Sequence, residues 1–148
     1  MQRRDSIFRI LAGLSSTSLA VTRAAAPALA STDPRFHLSR KGSGRASAYS
    51  EAVKTITGGE RTHVTWLDSL PGGFRVQIRT LDPATGTWSP VYSLGPAHDN
   101  HGGPALTVDH QGFLHVIYYP HHHPFHYRRS TRPNDASQWN KPVIFGER

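Results

Sequence analysis

The chain of 148 residues contains no cysteine and a single methionine. Without thiols, disulfides, iron–sulfur clusters and thiolate zinc sites are excluded. Acid is scarce as well: ten Asp and Glu stand against 17 Lys and Arg, for a net charge of +7. Long apolar runs are missing. The stretch from Ile10 to Val21 is broken by Ser15, Ser16, Thr17 and Ser18, so it is too short and too polar to span a bilayer. No segment keeps a helical 3.6-residue apolar period for long. These absences leave a small β-rich domain with no covalent staple, which must rely on a packed core or on a larger assembly.

What is present begins with a leader-like segment. Arg3, Arg4 and Arg9 precede the broken apolar stretch, and Ala28-Leu29-Ala30 closes it. A basic start, an apolar middle and an A-x-A end are the parts of a secretory signal. The Arg3-Arg4 pair with Ile7 and Phe8 resembles a twin-arginine signal. Residues 1–30 are therefore expected to be a cleavable signal, and the mature protein to be secreted or periplasmic. The signal holds four arginines against Asp5. The remainder has 13 basic and nine acidic residues, or +4. That charge suits an anionic ligand but forms no nucleic-acid stripe.

Residues 31–48 are rich in Ser, Gly and Arg and read as a linker. Residues 49–148 change texture. Short β-rich runs alternate with turn clusters, and Phe74 to Thr80 alternates apolar and polar along its whole length. Strands are expected at 53–57, 62–68, 74–81 and 87–94, then at 104–108, 113–119, 125–130 and 138–144. The second set repeats the first. His63-Val64-Thr65-Trp66 matches His115-Val116-Ile117-Tyr118, and Trp88 matches Trp139, at an offset of 51 or 52 residues. This predicts an all-β, β-propeller-like fold of about two four-stranded antiparallel blades. Two blades cannot close a ring, so the propeller is expected to be incomplete, completed by further blades or by several chains.

The candidate chemistry is histidine. Eight of the ten histidines lie between His98 and His126. Asn100-His101 precedes one strand of a hairpin turning at Asp109-His110-Gln111-Gly112, and His121-His122-His123 follows the return strand. The start of one strand lies beside the end of the next, so His101 and the triplet should meet at one rim. Three readings remain open there. One is acid–base chemistry, since both imidazole states are accessible near neutral pH. Another is a metal, with His121 and His123 on one face and His101 or Asp99 as further ligands. The last is a polar structural rim. The metal is not favoured, and no cofactor is expected. Arg128, Arg129 and Arg132 follow the triplet. Either one of them, with Arg128 placed nearest, offers a bidentate fork to a carboxylate or sulfate, or all three are solvated edge-strand charges. Trp66, Trp88 and Trp139 are expected in the blade core.

Asp99 to Pro104, His115-Val116, the triplet, Tyr127 to Ser130, and Arg132 through Trp139 resemble the BNR-repeat family that includes the propeller ulvan lyases. The run Asp82 to Trp88 looks like a degenerate Asp-box turn of such repeats. The resemblance implies an active site using His101 and one of His121 or His122. Asn100, His123 and Arg128 stand beside them as substrate contacts. It implies β-elimination on an anionic, uronic-acid-containing polysaccharide, with a tyrosine and an arginine drawn from later blades. Activity is thus expected of a propeller completed by further blades. The alternatives are a non-catalytic carbohydrate-binding piece and a sialidase-like glycosidase. The last would want paired carboxylates that the His-rich stretch lacks.

Overall fold

A computed structural model describes residues 37–49, 51–119 and 121–146. The expected signal at 1–30 and the first part of the linker lie outside the described residues. Among the described residues nine strands form two antiparallel sheets. The first sheet contains β1 (Thr55–Gly58), β2 (Arg61–Leu70), β3 (Gly73–Asp82), β4 (Thr87–Trp88) and β5 (Tyr92–Ala97). Its order is β1-β2-β3-β4, with β5 also on β3. The second contains β6 (Ala105–Val108), β7 (Leu114–Tyr118), β8 (Phe125–Arg129) and β9 (Val143–Phe145), in that order. Among the described residues no helix is long and apolar enough to cross a membrane.

The expected strand at 87–94 is two pieces, β4 and β5, lying in succession along the same edge of β3. Pro90 sits between them. It has no N–H for the ladder, so pairing stops and restarts. The second sheet repeats this at Pro142: Trp139 bridges Ser130, and pairing resumes only at β9. The matched proline explains why the expected 138–144 strand shrinks to Val143–Phe145. Residues 41–46, read from sequence as linker, instead extend the edge of β2, with Leu67 N–H on the Ala46 carbonyl at 3.0 Å and Ser69 N–H on the Lys41 carbonyl at 2.8 Å.

The two sheets pack face to face. Leu67, Val76, Ile78 and Leu94 of the first meet Leu106, Leu114, Val116 and Tyr118 of the second in one buried cluster. Register places Leu67 opposite Val76 and Thr65 opposite Ile78, so these side chains share the face turned to the core. Trp66 falls on the other face, where its indole N–H donates to Asp68 at 2.7 Å. Trp139 packs against the core cluster, and Trp88 lies under the Arg79 guanidinium.

A bulge locks the sheets together. Register between β3 and β5 shifts at Val76/Gln77, leaving Leu94 as the extra residue. Its carbonyl, released from the ladder, accepts the Tyr118 hydroxyl at 3.0 Å and the Arg128 guanidinium at 2.6 Å, both from the second sheet. Gly95 follows because a Cβ there would stand 2.8 Å from the Tyr118 ring.

The other face of the second sheet carries Ala105, Thr107, His115, Ile117, Phe125, Tyr127 and Val143. Ile117, Phe125, Val143 and Phe145 are exposed. The repeat offset maps β2 residues His63, Thr65 and Leu67 onto His115, Ile117 and Tyr119. In the first sheet these three positions are buried beneath the second sheet. In the second sheet, Ile117 is 38% exposed.

Candidate functional site

The rim beyond β6 and β7 holds the histidines. Ala105 pairs with Ile117 and Leu106 with Val116. Continued outward by four residues, this register sets position 101 opposite position 121. The structure brings His101 and His121 together, with ring centroids 4.3 Å apart.

Asp99 stands between them. Its carboxylate accepts the backbone N–H of His101 at 2.8 Å, closing an Asx turn. The other oxygen lies 2.6 Å from His121 Nδ1. His101 Nδ1 approaches the first oxygen at 3.3 Å. That approach is ion-pair distance without hydrogen-bond alignment, and His101 Nδ1 is buried with no hydrogen-bond partner. All three side chains are about one-third exposed, so the group opens to solvent.

Partial desolvation pushes the Asp99 carboxyl up, but the hydrogen bonds from the His101 backbone N–H and the His121 imidazole, with the His101 ring close beside them, outweigh it and hold the pKa at about 2. Asp99 is thus ionised at neutral pH and can only accept. The hydrogen at the 2.6 Å contact must come from His121 Nδ1. A neutral His121 in that tautomer presents a basic Nε2 on the side away from the carboxylate.

The rest of the cluster extends this pair. The exposed His122 ring lies tilted against His121 at 3.9 Å, and Tyr49 lies 6.5 Å from His101 in a near-parallel arrangement. A second file of rings runs beside it: His98 on His123, His123 on Tyr119, and Tyr119 on His126. Burial lowers the His126 pKa. Tyr119 and His122 have φ of 67° and 56°. Left-handed backbone at bulky residues costs about 1–2 kcal/mol each and concentrates where function holds the chain in place.

The remaining sequence candidates sit as follows. Asn100 is half-buried in the turn between Asp99 and His101. His123 belongs to the second file of rings, not to the Asp99 group. Arg128 lies on the core face of β8. Its guanidinium donates to the carbonyls of Leu94, Asn140 and Trp139 at 2.6, 2.8 and 3.2 Å. Sequence reasoning named Asp99 only as one further metal ligand. Its part as a shared acceptor was missed, although an Asp two residues before His101 is the signal of the Asx turn that sets it.

At the far end of the hairpin, Asp109 repeats the arrangement with one imidazole. It caps the turn through the N–H groups of Gln111 and Phe113 and lies 3.0 Å from His115 Nε2. The opposite ring nitrogen meets the Tyr127 hydroxyl at 2.7 Å. Both nitrogens of His115 are thereby engaged, whereas His101 and His121 each turn one nitrogen away from Asp99.

Two like antiparallel sheets, repeated at about fifty residues, with Asp-capped turns and broken fourth strands, define a β-repeat protein of stacked sheets. Residues 62–146 match the family model described as BNR repeat-containing family member. The match spans more than half of the chain, and the protein belongs to the BNR repeat-containing family. The comparison with curated proteins found no match to the chain.

Proposed function

We propose that the chain is an exported BNR-repeat component of a propeller that acts on an anionic, uronic-acid-containing polysaccharide by β-elimination. The observation that supports this is the pair of imidazoles set on one ionised carboxylate. A lyase of this kind removes the proton beside the uronate carboxylate and expels the glycosidic oxygen from the neighbouring carbon. Neutral His121 takes that proton at Nε2. Asp99 stabilises the resulting imidazolium through the Nδ1–H bond, as a carboxylate does for a catalytic histidine elsewhere. His101, protonated, delivers a proton to the leaving oxygen. His121 is preferred to His122 because the carboxylate fixes its tautomer. Arg128 is assigned to sheet packing because three carbonyls hold its guanidinium, so the cation for the uronate comes from outside that bond set.

Incubation of the exported protein, with the sheets that complete it, on an ulvan-like polymer should give an ultraviolet-absorbing unsaturated product. His101→Ala and His121→Ala should each lower turnover by about a hundredfold, the scale of a lost general acid or base. His122→Ala should lower it much less. Wild-type turnover in both of the first two variants would reject the acid–base reading. A second reading, a carbohydrate-binding module, draws on the exposed aromatic side chains of Tyr49 and His122. Binding of the polymer with neither unsaturated product nor new reducing ends would select it.

A further inference from the structure

We propose that Asp99, His101 and His121 also form a binding site for one divalent transition-metal ion of the zinc type, and that the ion switches the acid–base pair off. The switching rests on the reading above; the binding does not.

The donor atoms already converge. One oxygen or nitrogen from each of Asp99, His101 and His121 lies within 4.8 Å of the others. Donors held at 2.0–2.1 Å by a tetrahedral ion stand about 3.4 Å apart. The Asp99–His101 pair is at 3.3 Å. The Asp99–His121 pair, at 2.6 Å, needs to open by about 0.8 Å to reach that spacing. His101 Nδ1 adds an independent observation. It is buried, it faces the carboxylate, and it makes no hydrogen bond. A metal ion would give that nitrogen the partner it lacks.

The donor set selects the class of ion. Two imidazoles and one carboxylate suit zinc, cobalt or nickel, whereas calcium and magnesium prefer oxygen throughout. Three protein ligands leave at least one position for water or for a ligand carboxylate. The consequence for the pair follows from the tautomer. With the ion on Nδ1, each neutral imidazole carries its proton on Nε2, so the His121 proton leaves Nδ1 and Nε2 becomes the protonated nitrogen. Nε2 then can donate but cannot accept, and the base is lost. Protons compete for the same atoms, so affinity must fall as pH drops through the imidazole range.

Zinc titrated calorimetrically into the purified chain near neutral pH should saturate at one ion. Cobalt(II) should give the intense visible bands of a four-coordinate nitrogen and oxygen site. Asp99→Asn, His101→Ala and His121→Ala should each weaken binding at least tenfold, checked by circular dichroism for retained fold. His123→Ala should leave it unchanged. For wild-type protein, where folding of a variant is not in question, affinity should fall steeply from pH 7.5 to pH 5.5. Lack of saturable binding at about 1 mM, a Kd too weak to count as a site, would overturn the proposal. So would loss of binding in His98→Ala and His123→Ala with the three ligand variants unaffected. In the polysaccharide assay, zinc should suppress turnover and a chelator restore it. Turnover that requires zinc would overturn the switch alone. Absence of turnover under every condition would count against the lyase reading and leave the titration result standing.

Discussion

At the scale of single residues, charge states follow from hydrogen bonds and burial. His63 is the buried counterpart of His115 in the repeat. Its Nδ1 meets the Thr80 hydroxyl at 2.9 Å, and its Nε2 is buried without a partner. Burial first, and then the nearby Arg61 charge, lower its pKa from 6.5 to about 4. The unfolded chain therefore takes up a proton at this residue before the folded chain does. Stability is full above about pH 6.5 and declines as pH falls towards 4. Between pH 7 and pH 5 the loss from His63 should be about 2 kcal/mol. Urea unfolding at the two pH values checks this, and His63→Gln should remove most of the difference. Asp99 has the carboxylate sign. Its depressed pKa gives stability that is present above about pH 4 and lost as pH falls towards 2. The two residues thus act in successive acid windows, which a single titration of unfolding separates.

At the scale of elements, the bulge at Leu94 couples the sheets. A carbonyl freed from a ladder must find other donors or stay unsatisfied in the core. Here the donors are Tyr118 and Arg128. Arg128→Ala should therefore lower the unfolding free energy by about 1.5–3 kcal/mol, the range for hydrogen bonds to a charged group. The measurement is a denaturant melt. A variant with unchanged stability but weakened polysaccharide binding would return Arg128 to the substrate-contact role that its sequence position suggests. The prolines make a matching point about edges. Pro90 and Pro142 interrupt the fourth strand of each sheet at corresponding positions, so both edges are paired in two short pieces. Short, broken edges resist pairing with other chains.

At the scale of the molecule, the two sheets are not equivalent in their surroundings. The face that the first sheet buries against the second corresponds to a face that the second sheet leaves open. An open groove of about 620 Å³ runs there between Val53, Ala105, Thr107, Ile117 and Tyr127. Exposed apolar faces of this kind drive association. Ile117→Lys together with Val143→Lys should raise the fraction of monomer in light scattering and change the unfolding free energy by less than about 1 kcal/mol, since both side chains are already exposed. Unchanged association would show that this face is not the sticky one. The repeat offset extends the same pattern: a further like sheet on this face would place Ile117 where Thr65 sits in the first sheet.

The class of fold, the repeat of two like sheets and the place of the histidine rim were legible in the amino-acid pattern alone. Alternating strands, paired turns and the recurrence of His-Val, Trp and Pro at one offset are local patterns, and local patterns survive without tertiary contacts. Hairpin register likewise carried His101 towards the triplet, because opposed positions on two strands are fixed by the turn between them. Which histidine of the triplet meets His101 was decided only by the tertiary structure. Left-handed backbone at Tyr119 and His122 sets how the chain leaves β7, and Pro120 marks a turn in the sequence without fixing which ring of the triplet it presents. Arg128 was open for a similar reason. Alternation on β8 set it on the face opposite Arg129, but the bulge carbonyl that occupies it belongs to a strand 34 positions earlier in the chain. Asp99 joins both lessons: its turn was written in the sequence, while its second imidazole arrived from across the hairpin.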